Sequence, residues 1–162
     1  MSRTSDKVMA APDFKQWLDH YRDLIAAALD PVPGKVFVQP GAEVAWDQEK
    51  CDGQAWSRIV TLTPVLGTRK ANGVACVEWW DVTFAVGVLR CVSNVNARGK
   101  LPTAAQITED GHEFADDLVA LLTAIECDQY VRQIVTATPI GPQGNAAGSE
   151  VQFIVRVQPC CE

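Results

Sequence analysis

Apolar and polar positions along this chain follow two periods, and the switches between them outline its elements. Over residues 13–29, Phe14, Trp17, Leu18, Tyr21, Leu24, Ile25, Ala28 and Leu29 recur at the spacing of one helical face. Lys15, Gln16, Asp19, Arg22 and Asp23 take the other face. The run Asp30-Pro31-Val32-Pro33-Gly34 ends this helix, because proline disfavours the helical conformation in the residue before it. Extended segments follow. Residues 35–39 predict a short strand, Pro40-Gly41 a turn, and residues 43–46 a second short strand. Residues 56–63 alternate, with Trp56, Arg58, Val60 and Leu62 opposite Ser57, Ile59, Thr61 and Thr63. Residues 64–75 hold two glycines, Arg69 and Lys70 and few apolar groups, which predicts a long loop or hairpin tip. Residues 77–92 carry the strongest strand signal, with Gly87 as an expected bulge.

After a turn-rich stretch at residues 94–101, a second helix opens with Thr103 as N-cap and Gln106 completing a capping box. Ile107, Gly111, Phe114, Leu118, Leu121, Leu122 and Ile125 form its apolar stripe, where Gly111 predicts close approach to another backbone. Strands at residues 133–138 and 150–158 close the chain, joined by a Gly/Pro-rich loop at 139–149. The order α-β-β-β-α-β-β predicts an α+β fold: a mostly antiparallel sheet with two helices packed on one face. Residues 1–12 are expected to be a flexible segment and 13–162 a single domain, a normal size for one core.

Composition narrows the function classes. A mean hydropathy of +0.00 and 21% charged residues describe a globular chain, with no apolar run near the roughly 20 residues of a spanning helix. The polar start at residues 1–7 has no signal-peptide core, so a cytosolic product is expected. A net charge of −6 argues against a broad basic face for nucleic acid but suits a surface past which DNA slides.

Catalytic motifs are missing: there is no GxSxG, Walker or dinucleotide signature, so no enzyme and no cofactor are expected. Glu109, Asp110, Glu113, Asp116 and Asp117 read as a solvated helix face. Of the six cysteines, none form C-x-x-C, and neither His20 nor His112 stands at zinc-finger spacing from them. Cys91 ends the long strand and Cys127 ends the second helix, which makes them a candidate disulfide; buried thiols are the alternative. Trp46 and Trp56 flank the Cys51-Asp52-Gly53 turn as core anchors. Adjacent Trp79 and Trp80 must point to opposite sheet faces, so one is exposed or covered by another subunit.

Several segments, in order, resemble a known family. Cys51-Asp52-Gly53-Gln54-Ala55-Trp56-Ser57-Arg58-Ile59 is similar to a C-x-G-Q-x-W-x-R stretch in small virion proteins of tailed actinobacteriophages. V-T-F-A-V-G-V-L-R-C at residues 82–91 resembles that family's long strand ending in Arg-Cys. Leu101-Pro102-Thr103-Ala104-Ala105-Gln106, Asp116-Asp117 and Ala124-Ile125-Glu126-Cys127 resemble its capped helix, and Gly141-Pro142-Gln143-Gly144 with Gly148-Ser149-Glu150 its Gly-rich loop. The likeness spans residues 51–157. The family is the head-tail connector, or neck, proteins of the tail-terminator type. The cysteines beside its equivalents of Cys51 and Cys127 are replaced here by Lys50 and Asp52 and by Glu126 and Asp128, so its disulfide pattern does not carry over.

The resemblance implies a structural virion protein, assembled in the host cytoplasm, that forms a hexameric ring on the head-proximal end of a tail tube. The ring ends tube polymerisation and joins the tail to the head connector. Its expected partners are further copies of itself, the tail tube protein and the connector or stopper, with genomic DNA passing through the lumen without sequence-specific binding and no membrane. Trp79 and Trp80 are the candidate oligomer surface, and Arg69 and Lys70 the candidate contacts to an acidic partner. The alternatives are another neck component, such as a stopper or tail-tube-like subunit, or a cysteine-rich metal or redox binding module.

Overall fold

The computed structural model describes residues 13–42, 51–71, 74–95 and 97–158. Helix α1 (Phe14–Ala28) opens on Asp13, whose side chain accepts from the Gln16 backbone N–H at 3.1 Å. Strands β1 (Lys35–Val38), β2 (Gln54–Ala71) and β3 (Val74–Cys91) come next. Helix α2 (Ala104–Glu126) has the full capping box between Thr103 and Gln106. Strands β4 (Val131–Gln143) and β5 (Ala146–Val157) complete one sheet in the order β1-β2-β3-β5-β4. The α+β order read from the sequence is therefore the observed one. Among the described residues only the β1–β2 pairing is parallel, and the long connection between those strands gives the chain room to cross back.

Register separates the two faces of the sheet. Ser57, Val86 and Val151 stand opposite one another, and the Ser57 hydroxyl donates to the Leu18 carbonyl of α1 at 2.7 Å, so this face carries the helices. On it, Val82, Phe84, Val88, Phe153 and Val155 pack against Tyr21, Ile25, Leu121 and Ile125. The Tyr21 ring lies 4.6 Å from Phe153 and 5.3 Å from Phe84, centroid to centroid.

Several sequence expectations are corrected. Of the two expectations for residues 64–75, the hairpin holds and the long loop does not: β2 and β3 continue as a ladder as far as Ala71 opposite Val74. Residues 139–149 are not a loop either, since β4 and β5 run through them to a two-residue turn at Gly144 and Asn145. Pro139 is tolerated because β4 is an edge strand, which leaves one row of backbone groups unpaired. Gly148 is required because a Cβ there would overlap the Val88 carbonyl. Gly87 is not a bulge; it sits in continuous register between Trp56 and Glu150, and a Cβ would enter the Trp56 ring. Gly111 approaches no other backbone, with no heavy atom within 4 Å of a Cβ placed there. The strand expected at residues 43–46, Trp46 and the segment 1–12 lie outside the described residues.

Candidate assembly site

The sheet face away from the helices has a buried polar centre. Trp56 is fully buried on it, and its indole N–H donates to Glu150 Oε2 at 3.2 Å. Arg58 grips the same carboxylate with two bonds, at 2.8 and 2.7 Å, and Gln152 donates a fourth at 3.2 Å. Burial alone would raise the Glu150 pKa, but the bonds from Arg58, Gln152 and Trp56 outweigh it and hold the carboxyl below its ordinary range. A charged pair of this kind fixes geometry more than it adds stability.

A second buried pair lies on the helix-bearing face, a few residues along the same ladder. Arg90, near the end of β3, donates to Asp117 of α2 at 2.6 and 2.8 Å and to the Pro31 carbonyl at 2.7 Å. Asp117 is buried, which corrects its place on a solvated helix face; Glu109 and Asp116 are exposed as expected. The Arg90 pKa is raised, first by its bond to Asp117. Beside this pair lies a cavity of about 210 Å³ lined by Cys91, Gly111, Phe114 and Gly148.

Among the described residues a disulfide joins Cys51 to Cys91, with Cα atoms 5.5 Å apart. The candidate pairing of Cys91 with Cys127 is thereby overturned, since Cys127 is free and exposed. The chain reverses after β3, so α2 begins where β3 ends. Cys127 is then carried away along a helix of 23 residues, roughly 35 Å at about 1.5 Å per residue.

Trp79 and Trp80 do point to opposite faces. Trp80 packs on the helix-side core, while Trp79 lines an open groove with Gln129, Tyr130, Arg132 and Arg156. Asp81 holds Arg156 in place through bonds of 2.7 and 2.9 Å, and its own carboxyl is kept below the usual range by that partner. Arg132 is the extra residue where β4 advances from Val131 to Gln133 while β5 moves only from Val155 to Ile154. A bulge of this kind re-aims a side chain. Sequence reading overlooked this groove because its residues come from three separate segments.

Arg69 and Lys70 lie on β2 in the outer part of the β2–β3 hairpin, with the Lys70 backbone opposite Ala75. The last residue of β3 paired with β5 is Trp80, opposite Val157. Beyond it, the two strands of the hairpin pair only with each other among the described residues, forming an arm roughly 20 Å long at about 3.3 Å per residue. Leu66 is exposed along it, and Leu62 is exposed just inside its base, opposite Val82.

Among the described residues, no group of three His, Cys, Asp or Glu side chains is placed to hold a metal ion. Among them, too, no helix is long and apolar enough to cross a membrane. No protein-family model matches this chain, and no curated protein matches it.

Proposed function

We propose that this chain is a structural virion subunit that forms a ring on the head-proximal end of a phage tail tube, stops the tube's growth and joins it to the head connector. The observation that supports this reading best is the projecting β2–β3 arm. Two strands whose outer edges are unpaired among the described residues, with Leu66 exposed on one of them, are a liability in an isolated chain and a docking device in an assembly. Among the described residues both helices pack on one face of the sheet, and the buried Arg58–Glu150 pair lies on the other. A stiff body with a protruding arm suits a ring whose subunits reach their neighbours or the tube. The resemblance at residues 51–157 supplies the tail-terminator identity of that ring.

Negative-stain imaging of the purified chain with tail tubes tests the reading. Closed rings at one end of each tube are expected, and a variant with the arm cut back to a short turn should still fold but leave tails of uncontrolled length. A chain that stays monomeric and leaves tube ends bare refutes the proposal. A ring found at the connector side, away from the tube, assigns the chain to a stopper instead.

A further inference from the structure

We propose that the groove formed by Trp79, Tyr130, Arg132 and Arg156 receives the outer face of α2 from a second copy of this chain. The inference rests on the assembly reading above and adds the surfaces through which the copies meet. The receiving side is built for an acidic and partly apolar partner. Tyr130 stays 47% exposed, Trp79 is half-buried, and the exposed Arg132 makes no hydrogen bond or ion pair among the described residues. Asp81 spends both carboxylate oxygens on Arg156 and only lies in electrostatic reach of Arg132, so two arginines share one hydrogen-bonded carboxylate and the Arg132 guanidinium keeps its donors for a partner. Aromatic side chains beside arginine are the groups that dominate protein–protein contacts.

The complementary surface is on the same chain. Val119 is 62% exposed on α2, and Glu109 and Asp116 stand exposed seven residues apart, on one helical face.

Position decides that the contact is between copies rather than within one. The N-terminal half of α2 packs beside Arg90 and Cys91, whereas the groove is at Trp79, on the same strand. Twelve residues of strand span roughly 40 Å at about 3.3 Å per residue. One copy therefore carries the cationic aromatic groove at one end and the acidic ridge at the other. Two different patches meeting head to tail give a heterologous contact, which closes into a ring when the rotation allows.

Reciprocal charge reversal tests this on the full-length chain. One variant carries Arg132→Glu; the other carries Glu109→Lys and Asp116→Lys. All these positions are exposed, and thermal melts check that each variant folds, with Arg132→Gln as a milder substitute. Sedimentation velocity is expected to show each variant needing about tenfold more protein than wild type to assemble. An equimolar mixture should recover wild-type assembly, because each groove then meets a ridge of opposite sign. If wild type assembles and Arg132→Glu assembles equally well, or if the mixture stays as dispersed as its components, the groove is not the contact and the assembly reading stands without it. If wild type itself remains monomeric with and without tail tubes, both readings fall.

Discussion

Replacing Asp117 with alanine is the sharpest test of how the sheet and α2 are held together. The carboxylate takes two bonds from Arg90, at 2.6 and 2.8 Å, and both side chains are buried. Removing it strands a guanidinium whose remaining close bond is to the Pro31 carbonyl at 2.7 Å. Breaking one partner of a buried pair typically costs about 3–5 kcal/mol. Glu113 lies 3.5 Å from Arg90 and is partly exposed, so it recovers some of the lost interaction and places the cost near the low end, about 3 kcal/mol. Asp117→Asn keeps one acceptor and should cost less. Converting both partners, Arg90→Met with Asp117→Leu, removes the charges together and should cost less than either single loss. Urea unfolding at constant slope measures all three. If Asp117→Ala costs under about 1 kcal/mol, Arg90 is already hydrated in the native state and the pair is not what anchors α2.

Other outcomes follow from the same structure. Glu150 has a folded pKa below its unfolded value of about 4.3, so its contribution is complete above that pH and lost as pH falls through the folded value. Arg58→Met should flatten that acid-side decline in a plot of unfolding free energy against pH. Gly111→Ala fills open space in a helix and should raise stability by about 0.5–1 kcal/mol, read as a melting point higher by a few degrees. Gly148→Ala should lower it sharply, because the new methyl group meets the Val88 carbonyl. Reducing Cys51–Cys91, which closes a 40-residue separation, should cost about 4 kcal/mol, and peptide mapping should find Cys51 joined to Cys91 with Cys127 alkylated.

The helices were legible because their apolar periods are long and their caps are local: Thr103 and Gln106 find each other three residues apart. The core strands were legible from alternation at Val151, Phe153 and Val155. The hairpin ends were not. Gly148 and Pro139 look like loop residues until one knows that the first lies against the Val88 backbone and the second on an edge. One signal was available and unused: Asn72-Gly73 between two extended runs marks a tight hairpin. A ladder folded about that dipeptide without slips would set Cys51 opposite Asn94. The observed register shifts pair Gln54 with Leu89 instead and so draw Cys51 beside Cys91. The charged pairs stayed hidden because Arg58 and Glu150 are 92 positions apart and nothing local couples them. An arginine or glutamate inside an apolar strand was the available hint.

The bond between Cys51 and Cys91 also makes the whole hairpin a covalently closed loop, sealed at its base, where β2 starts and β3 stops. A single protease cut anywhere in the arm would therefore leave the chain as one particle. It would migrate as one band without reductant and as two with it. Force applied at the tip meets the same closure: the strands can peel apart from the outside inward, but only as far as the sulfur bridge. An oxidised chain can thus be nicked or pulled along this arm and still remain one covalent molecule.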